Sequence, residues 1–92
     1  MSNYWKCYLR EICADHRLNV WHLSLLVAIM QVGIDQNQKK KIIVSRSRLM
    51  KISHIKTIPT YHKYFKELQK LGYTKYTPSY HPCAKSFVEI FY

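Results

Sequence analysis

Residues 20–33 (VWHLSLLVAIMQVG) are apolar on nearly every side of a helix, and few folds can house such a segment. In water it has to be wrapped by the rest of the chain. A membrane span is a poor alternative. The stretch from Trp21 to Ile34 is interrupted by His22, Ser24, Gln31 and Gly33, and it falls short of the roughly 18–20 apolar residues a bilayer requires. The segment therefore reads as the central helix of a small domain, with Asn19 as its N-cap and Gly33 placed for a left-handed C-cap. At 92 residues and 48% hydrophobic side chains, the chain suits one packed domain rather than two, and not a disordered segment.

The flanking pattern supplies what would wrap it. Over residues 4–16, apolar side chains at 5, 8, 9, 12 and 13 form the stripe of an amphipathic helix. Arg17-Leu18-Asn19 interrupts it. After the central helix, residues 35–41 form a polar connection, in which Lys39, Lys40 and Lys41 read as a solvated loop. Ile42-Ile43-Val44 is a β-branched run that predicts a short strand. Ser45 can then cap a helix whose buried face is Leu49, Met50 and Ile52. A short break at residues 53–56 leads to Thr57, a candidate cap for a further helix with Pro59 in its first turn. Ile58, Tyr61, Phe65, Leu68 and Leu71 form that helix's apolar stripe, and Gly72 ends it. Residues 73–77 and 86–91 alternate like the strands of a hairpin, with a long tip holding Pro78 and Pro82. The predicted class is mainly α with a small β-hairpin, an α+β fold. Residues 1–18 form an N-terminal amphipathic helix and residues 19–92 the main domain.

Charge is divided sharply along this chain. Lys6, Arg10 and Arg17 balance Glu11, Asp15 and Asp35 over residues 1–38. Residues 39–92 hold twelve Lys or Arg against Glu67 and Glu89, so the whole net charge of +10 lies there. Such an excess points to nucleic acid or another anionic surface. Five acidic residues and two glycines leave little material for a catalytic cleft or a phosphate-cradling loop, and an enzyme is not expected. Three cysteines (Cys7, Cys13, Cys83) and no leader-like N-terminal segment suggest reduced thiols and a cytoplasmic protein.

The order helix, helix, short strand, helix, turn, helix, hairpin resembles a winged helix-turn-helix domain over about residues 19–91. Residues 45–53 (SRSRLMKIS) look like the first helix of the motif. Residues 57–73 (TIPTYHKYFKELQKLGY) look like a recognition helix running into a wing. More narrowly, residues 17–26 (RLNVWHLSLL), 60–63 (TYHK) and 71–80 (LGYTKYTPSY) resemble small winged-helix proteins encoded around mobile elements of gut anaerobic bacteria, mostly labelled transcriptional regulators. Where that group often has Glu and Pro, this chain has Arg48 and Val20, which makes the motif's first helix more basic. The resemblance implies double-stranded DNA as partner, transcription regulation as role, and no cofactor.

On that reading Thr60, His62 and Lys63 reach base edges near the helix start, while Lys56, Lys66 and Lys70 meet phosphates. Thr57 caps the helix beside them. Ser45, Arg46, Ser47 and Arg48 lie at the preceding helix's N-terminus, where backbone N–H groups favour a phosphate. In the wing, Tyr80 and Lys85 are the candidate contacts. Other classes share these features: an accessory DNA-binding protein of a mobile element or plasmid acting in excision or replication initiation, a protein-interaction module of the same fold, or an RNA binder using Tyr73, Tyr76, Tyr80 and Phe87.

Metal chemistry finds little support. Cys13 and His16 can share a helix face, but a structural zinc site needs a second close pair. Cys7 and Cys13 read as small apolar residues, and His22 as a packing histidine with its hydrogen bonds satisfied. No small-molecule ligand is evident. Trp5 and Ile12 sit in a stripe with more apolar surface than the core is expected to cover, which makes the N-terminal helix a candidate surface for a homodimer.

Overall fold

A computed structural model describes residues 3–79 and 85–91. Helix α1 spans Asn3–Ala14, α2 Val20–Gln36, α3 Arg46–Ser53 and α4 Ile58–Lys70. Strands β1 (Ile42–Ile43), β2 (Thr74–Thr77) and β3 (Phe87–Ile90) form one antiparallel sheet in the order β1-β3-β2. The chain is thus an α+β protein with four helices and a three-stranded sheet. Among the described residues, no helix is long and apolar enough to cross a membrane.

Helix α2 is the axis of the core. Its Leu25, Leu26, Ala28, Ile29 and Val32 are fully buried, and α1, α3, α4 and β1 pack around it. Burying each large aliphatic side chain is worth about 1.5–3 kcal/mol relative to leaving it in water. The helix opens as predicted on Asn19, whose Oδ1 accepts from the N–H groups of Trp21 (2.9 Å) and His22 (3.1 Å). His22 returns the bond, its Nδ1 accepting from the Asn19 N–H at 3.0 Å. An imidazole thus replaces the glutamate of an ordinary capping box.

The other end departs from expectation. Gly33 does not stop α2, which runs on to Gln36 and ends on Asn37 in the left-handed region (φ 54°). Gly33 serves packing instead. A Cβ there would lie 2.8 Å from Ile42 Cδ1, 2.9 Å from the Gln38 carbonyl oxygen and 3.1 Å from Trp5 Cη2. The missing side chain lets α1, α2 and the start of β1 close on one point. The added turn carries Gln36 to β1, where its amide donates to the Ile43 carbonyl (2.8 Å) and accepts from the Ile43 N–H (2.9 Å). That amide occupies the open edge of β1, which a sheet of this size otherwise exposes.

On α1, Trp5, Tyr8 and Ile12 are buried in the same core as α2, and Leu9 packs against it. The stripe offered above as a dimer surface is used up within the chain. Cys7 is exposed, and so is Cys13 although the stripe included it, contrary to the packing role predicted for both; Cys83 lies outside the described residues. Conversely, α2 is not enclosed on all sides, because Val20, Trp21, Val27 and Ile34 remain exposed.

Of the side-chain contacts that join the two halves of the chain, two span the longest stretches of sequence. His22 Nε2 lies 2.7 Å from Glu67 Oε1, joining α2 to α4. With Nδ1 facing the Asn19 N–H and Nε2 facing Glu67, both ring nitrogens of the predicted packing histidine have partners. The Tyr73 hydroxyl, at the foot of β2, donates to Asp15, which also forms a two-point pair with Arg17 (closest approach 2.7 Å). These partners, Arg17 first and Tyr73 second, hold the Asp15 carboxyl well below the usual carboxylate range.

Candidate nucleic-acid interface

Helix α3 begins where Ser45, in extended conformation, turns its hydroxyl to accept from the Arg48 N–H at 3.3 Å. The cap was predicted, and it leaves Ser47 free of that duty. Arg46, Ser47 and Arg48 are all exposed around the helix start. Arg48 reaches Asp35 at 3.3 Å, an exposed pair that surface screening keeps weak. Within α3, Leu49 is fully buried while Met50 and Ile52 are only half-buried. The helix closes on His54 in the left-handed region (φ 62°), and Ile55 drops into the core. Lys56 is exposed in the turn that follows.

Helix α4 is held by an aromatic column. Tyr61 stacks on Phe65 at 5.2 Å, and Phe65 meets Tyr76 of β2 edge-on at 5.1 Å. Burial pushes the Tyr61 phenol up to about 12, so it stays neutral. On its other side Tyr64 sets its ring edge-on to His22 at 4.9 Å. The helix packs chiefly on α2 and β2. Ile58, predicted to be core, is 45% exposed at its start. Thr57 stands at the N-cap position, but its side chain does not bond a backbone N–H as predicted; it donates to the Thr60 hydroxyl at 2.7 Å. Thr60 is half-buried, and His62, Lys63, Lys66 and Lys70 are exposed. Lys63 Nζ lies 5.2 Å from the Tyr64 ring centre, a cation–π contact that leaves its charge at the surface.

The single acid of α4 is Glu67, and its partner is His22 rather than a surface lysine. Glu67 stays partly exposed, its side chain 39% accessible, beside the exposed His62, Lys63, Lys66 and Lys70. Two depressions open at the start of α3, the first shared with this face of α4 and the second with the ends of α2 and β1. One, of about 460 Å³, is lined by residues that include Ser45, Arg46, His62, Lys66, Gln69 and Tyr76. The other, of about 600 Å³, brings Ser45 and Arg48 together with Lys85, Ser86, Gln36 and Ile43. Neither is lined by a carboxylate.

Of the predicted site residues, Ser45, Arg46, His62 and Lys66 thus share one depression, and Lys85 joins Ser45 and Arg48 in the other. Ser47 opens on a third, shallower hollow with Arg48 and Lys51. Thr57, Thr60 and Lys63, at the start of α4, line neither of the first two. Tyr80 lies outside the described residues. Gln69 was missed, although its spacing from His62 and Lys66 continues their helical stripe. The aromatics that kept RNA stacking in view are engaged within the protein: Tyr73 with Asp15, Tyr76 with Phe65, and Phe87 half-buried near Lys41. Among the described residues no three His, Cys, Asp or Glu side chains gather as a metal site would require. No family model matches the chain, and no curated protein or solved structure is significantly similar to it.

Proposed function

We propose that this protein is a winged helix-turn-helix domain that binds double-stranded DNA and acts as a transcriptional regulator, with α3 and α4 as the helix-turn-helix and β2–β3 as the wing. The observation that carries the reading is the cluster of cations on α4, at the start of α3 and at Lys85, around two depressions lined by no carboxylate. A helix entering the major groove needs short polar groups and an apolar contact near its start, and cations along its flanks. The first turns of α4 offer Thr60, His62 and Lys63, with Ile58 exposed where a thymine methyl can pack against it. Arg46, Lys56 and Lys66 serve as phosphate contacts, and the backbone N–H groups at the start of α3 add to them.

The test is selection of binding sites from a random duplex pool with the purified chain. The reading expects a recurring sequence motif to be enriched. Retention of duplex with no enriched sequence would reduce the role to backbone binding. Failure to retain duplex at all would favour a protein-interaction module built on the same fold.

A further inference from the structure

A depression of about 510 Å³ shares no residue with those at the start of α3. It lies where α1 meets the base of the hairpin. Tyr8 and Glu11 of α1 line it, with Leu71, Gly72 and Tyr73 of the α4–β2 turn and Phe91 after β3. Its volume falls in the range of sites that hold small molecules. Tyr8 is fully buried and closes it toward the core, Leu71 and Tyr73 are half-buried, and Phe91 is exposed. The Phe91 N–H donates to the Tyr73 carbonyl at 2.9 Å, which fixes these two residues beside each other. Gly72 adds only backbone, and a Cβ there would meet nothing within 4 Å.

Glu11 is the charged residue of this lining, and among the described residues it has no ionic partner. The other acids are placed differently. Asp15 is held by Arg17 and Tyr73, Asp35 by Arg48 and Glu67 by His22, while Glu89 stands opposite Lys75 in the β2–β3 register. Helical spacing gives Glu11 no cation either, because Cys7, Tyr8, Ala14 and Asp15 lie one turn to either side of it. It also stands in the last turn of α1, which holds no base and where the helix dipole disfavours an acid. A chain with fifteen Lys and Arg thus leaves one carboxylate uncompensated beside aromatic and aliphatic walls. We propose that this depression binds a small arylalkylammonium, with its ammonium on Glu11 and its ring against Leu71, Tyr73 and Phe91. Such a cation gains from the carboxylate and from the nearby rings, whose quadrupoles attract positive charge. A neutral ligand of the same shape gains only the apolar contact, and an anion is repelled by Glu11. A ligand seated there touches α1, the α4–β2 turn and the end of β3 at once.

The inference goes beyond duplex binding and does not rest on it. The test is an amide NMR titration of the full chain with phenethylammonium, at about 0.15 M salt so that the field of the basic half is screened beyond about 8 Å. Saturable binding is expected with a Kd of about 1 mM, as suits a fragment-sized ligand, and with the largest shifts at Glu11, Gly72, Tyr73 and Phe91. The uncharged 2-phenylethanol should bind about three- to fivefold more weakly, the share an exposed ion pair contributes. Glu11→Gln should bind the ammonium and the alcohol alike. Glu11→Lys should reverse the preference and favour 3-phenylpropanoate. Glu11 is exposed, and a base suits that end of the helix, so neither change threatens folding; the amide spectrum of each free variant checks this. Phe91→Ala should weaken the ammonium and the alcohol by the same factor. Binding that does not saturate, shifts centred elsewhere, or equal affinity of wild type for ammonium and alcohol would each overturn the proposal. So would a preference for the ammonium that survives Glu11→Gln or Glu11→Lys.

Discussion

Helices α2 and α4 touch through His22 and Glu67, yet their outward faces are built in opposite ways. Helix α2 gives most of its circumference to the core and leaves an uncharged strip of Val20, Val27 and Ile34 in water. Helix α4 buries only Tyr61, Phe65 and Leu68, and turns His62, Lys63, Lys66 and Lys70 outward. The contact between them matters to both. It satisfies the histidine of the α2 cap, and it ties the one acid of α4 to α2 rather than to a lysine of its own helix. Buried faces here explain the fold, whereas the chemistry of each exposed face says which kind of partner it suits.

That contrast can be broken first within α2. Ile29→Ala should cost about 2–5 kcal/mol, as expected for a fully buried aliphatic, while Val27→Ala two residues earlier should stay within about 0.5 kcal/mol. Urea denaturation of the two monomers at micromolar concentration measures both. Equal losses would mean that the outward strip of α2 is not outward.

On α4 the effects should appear in binding rather than in stability. Thr60→Ala and Lys63→Ala should each weaken the selected duplex by about 1–3 kcal/mol while changing a scrambled duplex less. Arg46→Ala and Lys66→Ala should lower both affinities by the same factor and reduce the salt slope by about one each. Parallel titrations of the four variants decide this. If Thr60→Ala and Lys63→Ala also act equally on both duplexes, sequence is read through DNA shape or the hairpin instead.

Gly33→Ala probes where α1, α2 and β1 meet. The new Cβ would clash with the Gln38 carbonyl, so a loss of about 1–3 kcal/mol is expected despite alanine's better helix propensity. A gain in thermal stability would show that Gly33 serves only as a weak helix residue. The smallest effect belongs to the Tyr73–Asp15 pin between the two halves. Because the Asp15 pKa is lowered in the fold, its contribution is present above the ordinary carboxylate range and fades as pH falls below about 4. Tyr73→Phe should therefore be slightly less stable than wild type at neutral pH, and the two should converge in acid.

Most of the fold was legible because its signals are local. Asn19 and Ser45 cap as their side chains suggest, and Gly72 takes the positive φ (85°) that ends α4. The alternation of residues 73–77 and 86–91 is the β2–β3 pair, in register Tyr76 opposite Val88. What the sequence concealed depended on distant neighbours. Gly33 reads as a stop signal unless Ile42 and Trp5 are known to press on it. Ile58 fits the apolar stripe of α4, and only the packing of that helix on α2 and β2 leaves it exposed. Trp5 and Ile12 looked surplus because periodicity counts apolar residues but not the space available for them. For the candidate site, the charge division by chain position already marked α3 and α4. The role of Glu67 was hidden, since nothing local distinguishes an acid bonded to a histidine 45 residues away from one in solvent.

The central claim is that the cations of residues 39–92 form a working duplex-DNA surface, and its most direct test is the salt dependence of binding. A fluorescence-anisotropy titration of wild type on a selected duplex, from about 50 to 200 mM salt, should give a log–log slope of about −4 to −7, the signature of roughly 5–8 neutralised phosphates. A slope near zero would contradict the account, leaving the basic half a solvated surface with no nucleic-acid partner.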